Sequence, residues 1–257
     1  EVVFPGVGVR IRREFVGKLV LFNELTRVVA RERSADSLLV FPVGATEQHG
    51  PHLPVGTDTF AVEAVSRRAA EAASDEIPVV VAPTLPFGCS PHHVPFGGTM
   101  SLSTETYYRA LTDMVESVLL GGWTRVMIVN GHGGNSELVQ LVVRDLALKY
   151  PASLAALNYW NAGWDKMVDQ GVHLRGRMPG HAGAFETSLV MALRPELVAE
   201  PRPSRPGDHA GDPKANAPKY RHEVHGWWQA TDGFTDSPAN GQAEHGNAYL
   251  DTLVDAL

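Results

Sequence analysis

The chain has 257 residues, 44% of them hydrophobic, enough for one large core or two small ones. With 22 Lys and Arg against 29 Asp and Glu, its formal net charge of -7 excludes the basic face that nucleic acid or anionic lipid requires. A single cysteine, Cys89, excludes an intrachain disulfide and any site built on several thiolates.

No apolar run approaches the ~18–20 residues of a membrane span, so no membrane partner is expected. The amino end, EVVFPGVGVRIRREF, lacks the apolar core of a secretion signal, and a cytoplasmic setting is the expectation. Short apolar, largely β-branched runs at 37–43, 78–82, 124–129 and 153–159 predict buried strands. Helical patterns occupy 59–73, 103–120 and 136–149, with Asp58 and Ser136 as candidate N-caps and Gly121-Gly122 as a stop. Strand–helix alternation of this kind predicts an α/β fold with a mainly parallel sheet and helices on both faces. A further helix is expected at 184–194, cut off by Pro195, and a last one at 242–257. Between them, at about 200–241, lies a Pro/Gly-rich excursion that keeps Trp227 and Trp228 and suits a site cover or a subunit contact. The whole of 1–257 reads as one domain.

The chemistry-bearing residues follow the predicted strands. Strand 37–43 runs into GATEQHGPHLPVGTD, strand 78–82 into PTLPFGCSPHHVPFGGT, and strand 124–129 into NGHGGNS. Ligands of open parallel sheets bind outside the carboxyl ends of the strands, so three polar loops converge on one edge. Glu47, His49 and Asp58 offer oxygen and imidazole donors suited to Zn, Mn or Fe; taken alone, the loop reads more simply as a capping Asp58 with polar loop residues. His132 lies among glycines that let backbone approach a ligand, or that simply make a tight turn. In GHAGAFETS, Glu186 falls in the first turns of a helix, where the dipole favours a carboxylate whatever its role. No HExxH occurs, and Cys89 reads as a small buried hydrophobe rather than a nucleophile.

Taken in order, GATEQHGPHLPVGTD, SPHHVPFGGTMSLS, VNGHGGN and GHAGAFETS resemble the creatininase (creatinine amidohydrolase) family, and AEHGNAYLDTLVDAL resembles its final helix. The resemblance implies a three-layer α/β/α sandwich, a homohexamer, and one or two divalent ions per chain (Zn, Mn or Fe). It places metal ligands at Glu47, His49, Asp58 and His132, with Glu186 beside the centre. The implied reaction is hydrolysis of a non-peptide C–N bond in a small cyclic amide or formamide by metal-activated water. His181 is assigned as proton donor to the leaving nitrogen because imidazole titrates near working pH. Glu186 is assigned a double role, catalytic and ligating the second metal. Ser90, His93, Trp160 and Trp164 are assigned to the substrate, with Trp227 and Trp228 as further walls; each tryptophan also reads as core or interface. One departure stands out: creatininase proper has a ligating Glu where this chain has Gly134, so the chain resembles a broader NGHGGN branch. Two rival expectations remain, a peptidase trimming a modified precursor peptide and a non-catalytic metal-binding assembly protein.

Overall fold

Leu39, Phe41 and Val43 face one side of the first strand and Val40 the other, and all four are buried. A strand apolar on both faces needs cover on both, and that requirement organises the chain. The structure is a computed structural model and describes residues 18–205 and 224–257. Its elements begin with α1 (Arg27–Arg33), β1 (Leu38–Val43), α2 (Thr57–Ala73), β2 (Val79–Val81), α3 (Thr104–Leu120) and β3 (Arg125–Asn130). They continue with α4 (Ser136–Ala147), β4 (Ser153–Asn158), α5 (Tyr159–Ala162) and α6 (Trp164–Asp169). The last three are α7 (Ala184–Leu193), α8 (Trp227–Ala230) and α9 (Ala243–Ala256).

The strands pair in the order β2-β1-β3-β4, all parallel. On one face, Leu111 and Val115 of α3 and Val139 and Val142 of α4 meet Leu39, Phe41 and Ile128. On the other, Val62 and Val65 of α2, Leu189 of α7 and Leu250 and Leu253 of α9 meet Val40 and Val129. Three layers of the expected α/β/α type result. The connection from β1 runs to β2 on one side and that from β3 runs to β4 on the other, which makes the crevice between β1 and β3 a topological switch point. No helix among the described residues is long and apolar enough to cross a membrane.

The predicted strands and long helices lie within a few residues of those observed. Four short helices, α1, α5, α6 and α8, escape the sequence pattern because none is long enough to show an amphipathic period. Both expected N-caps are corrected. Helix α2 is preceded by Gly56, so Asp58 lies inside its first turn. Helix α4 is preceded by Asn135, and the Ser136 hydroxyl instead donates to Asn158 Oδ1 at 3.1 Å. Ser103 does cap α3, its hydroxyl accepting from the Thr106 N–H at 3.2 Å. Of the Pro/Gly-rich excursion, residues 206–223 lie outside the described residues.

Helices α7 and α9 cross at Gly246, where a Cβ would land on the Ser188 carbonyl and lie 2.9 Å from Ala192 Cβ. Backbone cannot yield as a side chain would, so Gly246→Ala is expected to destabilise the protein by about 2 kcal/mol. Urea unfolding monitored by circular dichroism checks this; an unchanged midpoint would show that the crossing is looser than described.

Candidate metal centre

The loops after β1 and β3 meet at the switch point. Glu47 and His49 lie on the β1 loop, which returns into α2 and delivers Asp58 from its first turn. His132 follows β3 directly. Asn130, the last residue of that strand, holds the turn by donating Nδ2–H to the His132 carbonyl at 2.7 Å and accepting the His132 N–H at 3.1 Å. Asn135 ties the neighbouring loops to it, donating to Gly44 O at 3.1 Å and accepting the Cys89 N–H at 2.9 Å. Glu186 enters from the first turn of α7, its Oε2 accepting the Ala182 N–H at 2.5 Å.

Five expected ligands come together in two groups that share Asp58. Asp58 Oδ1 lies 3.1 Å from His49 Nε2, which is 3.7 Å from Glu186 Oε2. Asp58 Oδ2 lies 3.1 Å from His132 Nδ1, which is 3.2 Å from Glu47 Oε1. Both Glu47 oxygens and Asp58 Oδ2 are buried without a completed hydrogen bond among the described residues. Buried carboxylates left this way are costly unless a cation neutralises them.

The contacts behind the two histidine rings point the same way. His49 Nδ1 lies 3.0 Å from the Glu47 carbonyl and His132 Nε2 lies 3.2 Å from the Cys89 carbonyl. A carbonyl only accepts, so both outward nitrogens carry the hydrogen and both inward nitrogens turn toward carboxylates. Metal-ligating histidines are oriented in this manner, and the donor set, imidazole plus carboxylate with no thiolate, suits zinc, manganese or iron. These residues fit a divalent ion.

Charge follows from the same geometry. Burial lowers the affinity of His49 for a proton, but Asp58, Glu186 and Glu47 outweigh it and raise its pKa to about 10. Burial opposes His132 too, and Glu47 and Asp58 raise it well above the usual imidazole range. Burial pushes Glu186 up to about 8 against the pull of His49. His181, first by burial and then by the nearby His49, is pushed down to about 3. In the metal-free protein His181 is therefore held neutral.

A cavity of about 480 Å³ opens over the centre, lined by Glu47, Asp58, His93, His132, His181 and Glu186, with Trp160 and Trp228 as walls. The Trp228 ring stands edge-on to His93 and His181 with ring centres 4.5 and 5.1 Å apart, and Trp227 packs edge-on behind it at 4.6 Å between centres. Two expected substrate contacts lie elsewhere. The Ser90 hydroxyl is 3.1 Å from His132 Nε2, beside the centre, and does not line the cavity. Trp164 packs into the apolar cluster of α2, α7 and α9. Cys89 is buried, with its thiol 3.5 Å from the Thr104 hydroxyl and its carbonyl on His132. Gly134 has no room for a side chain: a Cβ would clash with the Cys89 carbonyl oxygen and lie 2.5 Å from His132 Nε2.

Other residues of the site carry little sequence signal. Asp236 Oδ2 accepts the Ala184 N–H at 2.9 Å, and the Thr235 hydroxyl accepts the His181 N–H at 2.9 Å. Both therefore brace the segment that carries His181 and Glu186. The Gln48 side chain reaches His93, His181 and Gly233, and its place between Glu47 and His49 is the one clue to it.

Residues 23–257 match the family model Creatininase, described as creatinine amidohydrolase. The chain is 33% identical over 201 residues to the creatinine amidohydrolase of Pseudomonas putida, covering 71% of this chain and 75% of that one. It is 36% identical over 166 residues to the mycofactocin precursor peptide peptidase of Mycolicibacterium smegmatis, covering 63% of this chain and 60% of that one. Among solved structures, a manganese form of creatininase superposes with a TM-score of 0.76 at 29% identity, over 93% of this chain and 96% of that one. A zinc–zinc form of a creatininase variant superposes with a TM-score of 0.73 at 28% identity, over 93% and 95%. The chain belongs to the creatininase family of amidohydrolases.

Since a bound metal requires neutral imidazole, each ion that enters must displace the extra proton of the histidine it meets, His132 or His49. Below the raised pKa of about 10 at His49, metal affinity is expected to increase as pH rises, with protons released on binding. Calorimetric titration of the metal-free protein in buffers of different ionisation enthalpy measures that release; a heat independent of buffer would contradict it.

Proposed function

We propose that the chain hydrolyses a non-peptide C–N bond in a small cyclic amide or formamide, using two divalent ions drawn from zinc, manganese or iron. The observation that carries this reading is the division of Asp58, with Oδ1 toward His49 and Glu186 and Oδ2 toward His132 and Glu47. On this reading Glu47, Asp58 and His132 hold the first ion, and His49, Asp58 and Glu186 the second. When bound, such ions lower the pKa of water toward neutrality and polarise a carbonyl oxygen.

The remaining steps belong to the chain's own residues. His181 Nε2 donates to the Gln48 carbonyl at 3.0 Å, which leaves Nδ1 as the lone-pair nitrogen, 3.5 Å from Glu47 Oε1. Held neutral, His181 takes a proton at Nδ1 as the nucleophile attacks and hands it to the leaving nitrogen. His93 and the edges of Trp160 and Trp228 orient a flat substrate and exclude water. Gly134 supplies no ligand, so creatinine itself is not the expected substrate. A homohexamer in the cytoplasm completes the reading, carried over from the family resemblance and from a single buried cysteine suited to a reducing compartment.

The 36% identity to a precursor peptide peptidase favours a second reading, removal of residues from a modified peptide. Screening zinc- and manganese-loaded protein against cyclic amides, formamides and short peptides separates the two. Turnover of peptides alone would replace the first reading, and no turnover of any class with full metal content would support a non-catalytic role.

Two substitutions test the roles. Glu186→Gln is expected to reduce metal content from two ions to one per chain, with loss of activity; two retained ions with intact turnover would leave Glu186 as a helix cap only. His181→Asn is expected to lower kcat by about 10²–10⁴-fold, the usual yield of a positioned acid–base group, with metal content unchanged. Elemental analysis alongside steady-state kinetics reads both.

A further inference from the structure

Gln48 lies between two proposed ligands, yet its side-chain amide faces a different set of partners. Its Oε1 accepts the Gly50 N–H at 2.9 Å, and its Nε2 lies 2.8 Å from the Gly233 carbonyl. Exchanging the two ends of the amide would set oxygen against a carbonyl and NH₂ against an N–H. The orientation is therefore fixed.

The NH₂ group has two hydrogens and three close neighbours: Gly233 O at 2.8 Å, His93 Nδ1 at 2.8 Å and His181 Nε2 at 3.1 Å. Gly233 O only accepts and takes one hydrogen. His181 Nε2 already carries a hydrogen, because it donates to the Gln48 main-chain carbonyl at 3.0 Å. The second amide hydrogen goes to His93 Nδ1, which must then be the unprotonated nitrogen. A neutral imidazole with a bare Nδ1 carries its hydrogen on Nε2. That Nε2 is buried, has no hydrogen-bond partner among the described residues, and lies 3.7 Å from Glu47 Oε1. The ring is clamped, stacked on His181 at 4.2 Å and edge-on to Trp228 at 4.5 Å between ring centres.

We propose that Gln48 is a positioning residue that fixes His93 as its Nε2–H tautomer, and that this N–H donates a hydrogen bond to an oxygen of the bound ligand. The oxygen is the carbonyl of an amide substrate or the carboxylate of its product. Gln48 also seats the segment that brings in Trp228: Gly233 has φ +69 and a Cβ there would lie 2.6 Å from Gln48 Oε1. One side chain thus sets both the donor and the wall beside it. The ligand half of the proposal rests on the reading of this cavity as the amide site; the tautomer half does not.

The test uses zinc-loaded, full-length protein labelled with ¹⁵N-histidine and solid-state NMR, with the His93 signals assigned by their loss in His93→Gln. The expected result is an unprotonated Nδ1 and a protonated Nε2; a hydrogen on Nδ1 overturns the proposal. Gln48→Glu replaces the donor with an acceptor, so His93 is expected to move its hydrogen to Nδ1 with zinc content unchanged. An unmoved tautomer would show that something other than Gln48 sets it. If Gln48→Glu loses zinc or fails to fold, Gln48→Met, which donates nothing, is expected to give a mixture of both tautomers, and a pure Nε2–H form overturns the role. Acetate, a carboxylate probe, is then titrated into wild-type protein. The His93 Nε2 signal is expected to shift; shifts confined to His49 and His132 overturn the donor role alone. No shift at any histidine overturns the cavity reading with it, while leaving the tautomer result in place.

Discussion

Glu47 and Asp58 bring two carboxylates to within 3.2 and 3.1 Å of one nitrogen, His132 Nδ1, and all three side chains are almost wholly buried. Like charges at that separation repel, and burial amplifies the repulsion. The protonated histidines of the metal-free protein offset part of it, which is why His49 and His132 hold their protons so far above the usual range. A divalent cation answers the same need with more charge and without the protons. Much of the surrounding structure keeps these groups from escaping the conflict. The Glu47 and Cys89 carbonyls fix the two rings, the Asn130 amide fixes the turn, and the first turn of α2 holds Asp58 between them.

The parallel sheet makes this arrangement inexpensive in chain length. Adjacent strands that send their connections in opposite directions leave a crevice at their carboxyl ends, and β1 and β3 do so here. Loops after those strands need only a few residues to reach the crevice. The third contributor, the segment of His181 and Glu186, comes from far along the chain and has no strand to anchor it. Its bracing by Thr235 and Asp236 takes the place of a strand.

The sequence exposes what is periodic and what is chemically conspicuous. Apolar runs gave the four strands, most plainly β1 and β2, which are buried on both faces and carry no polar residue to confuse the pattern, while β4 at the edge alternates exposed and half-buried residues. Glu47, His49, Asp58, His132 and Glu186 stand out because ligand-type residues follow strand ends or a glycine-rich turn, and the family resemblance added their pairing. Asp58 was also readable as a cap, because the rule for helix starts sees a residue type and not the backbone angle at Gly56. Gln48 was illegible for another reason. Its amide partners stand 45, 133 and 185 positions away, and a glutamine among ligands looks like filler until those distances close. Ser90 had the right residue type, but its contact with His132 is a matter of orientation that no spacing encodes.

Gly134 has a consequence for how such a site can change over time. Its missing side chain is enforced by the Cys89 carbonyl and by His132, the ring that a new ligand at this position would have to approach. A single exchange to glutamate would therefore disturb the loop before it offered an oxygen to the centre. Passage between a glycine and a carboxylate at this position requires the Cys89 segment to move first, and that segment is tied to Asn135 and through it to Gly44. A side chain at this position therefore asks for a coordinated shift of the loops that carry Gly44, Cys89 and Gly134, which a single substitution does not supply.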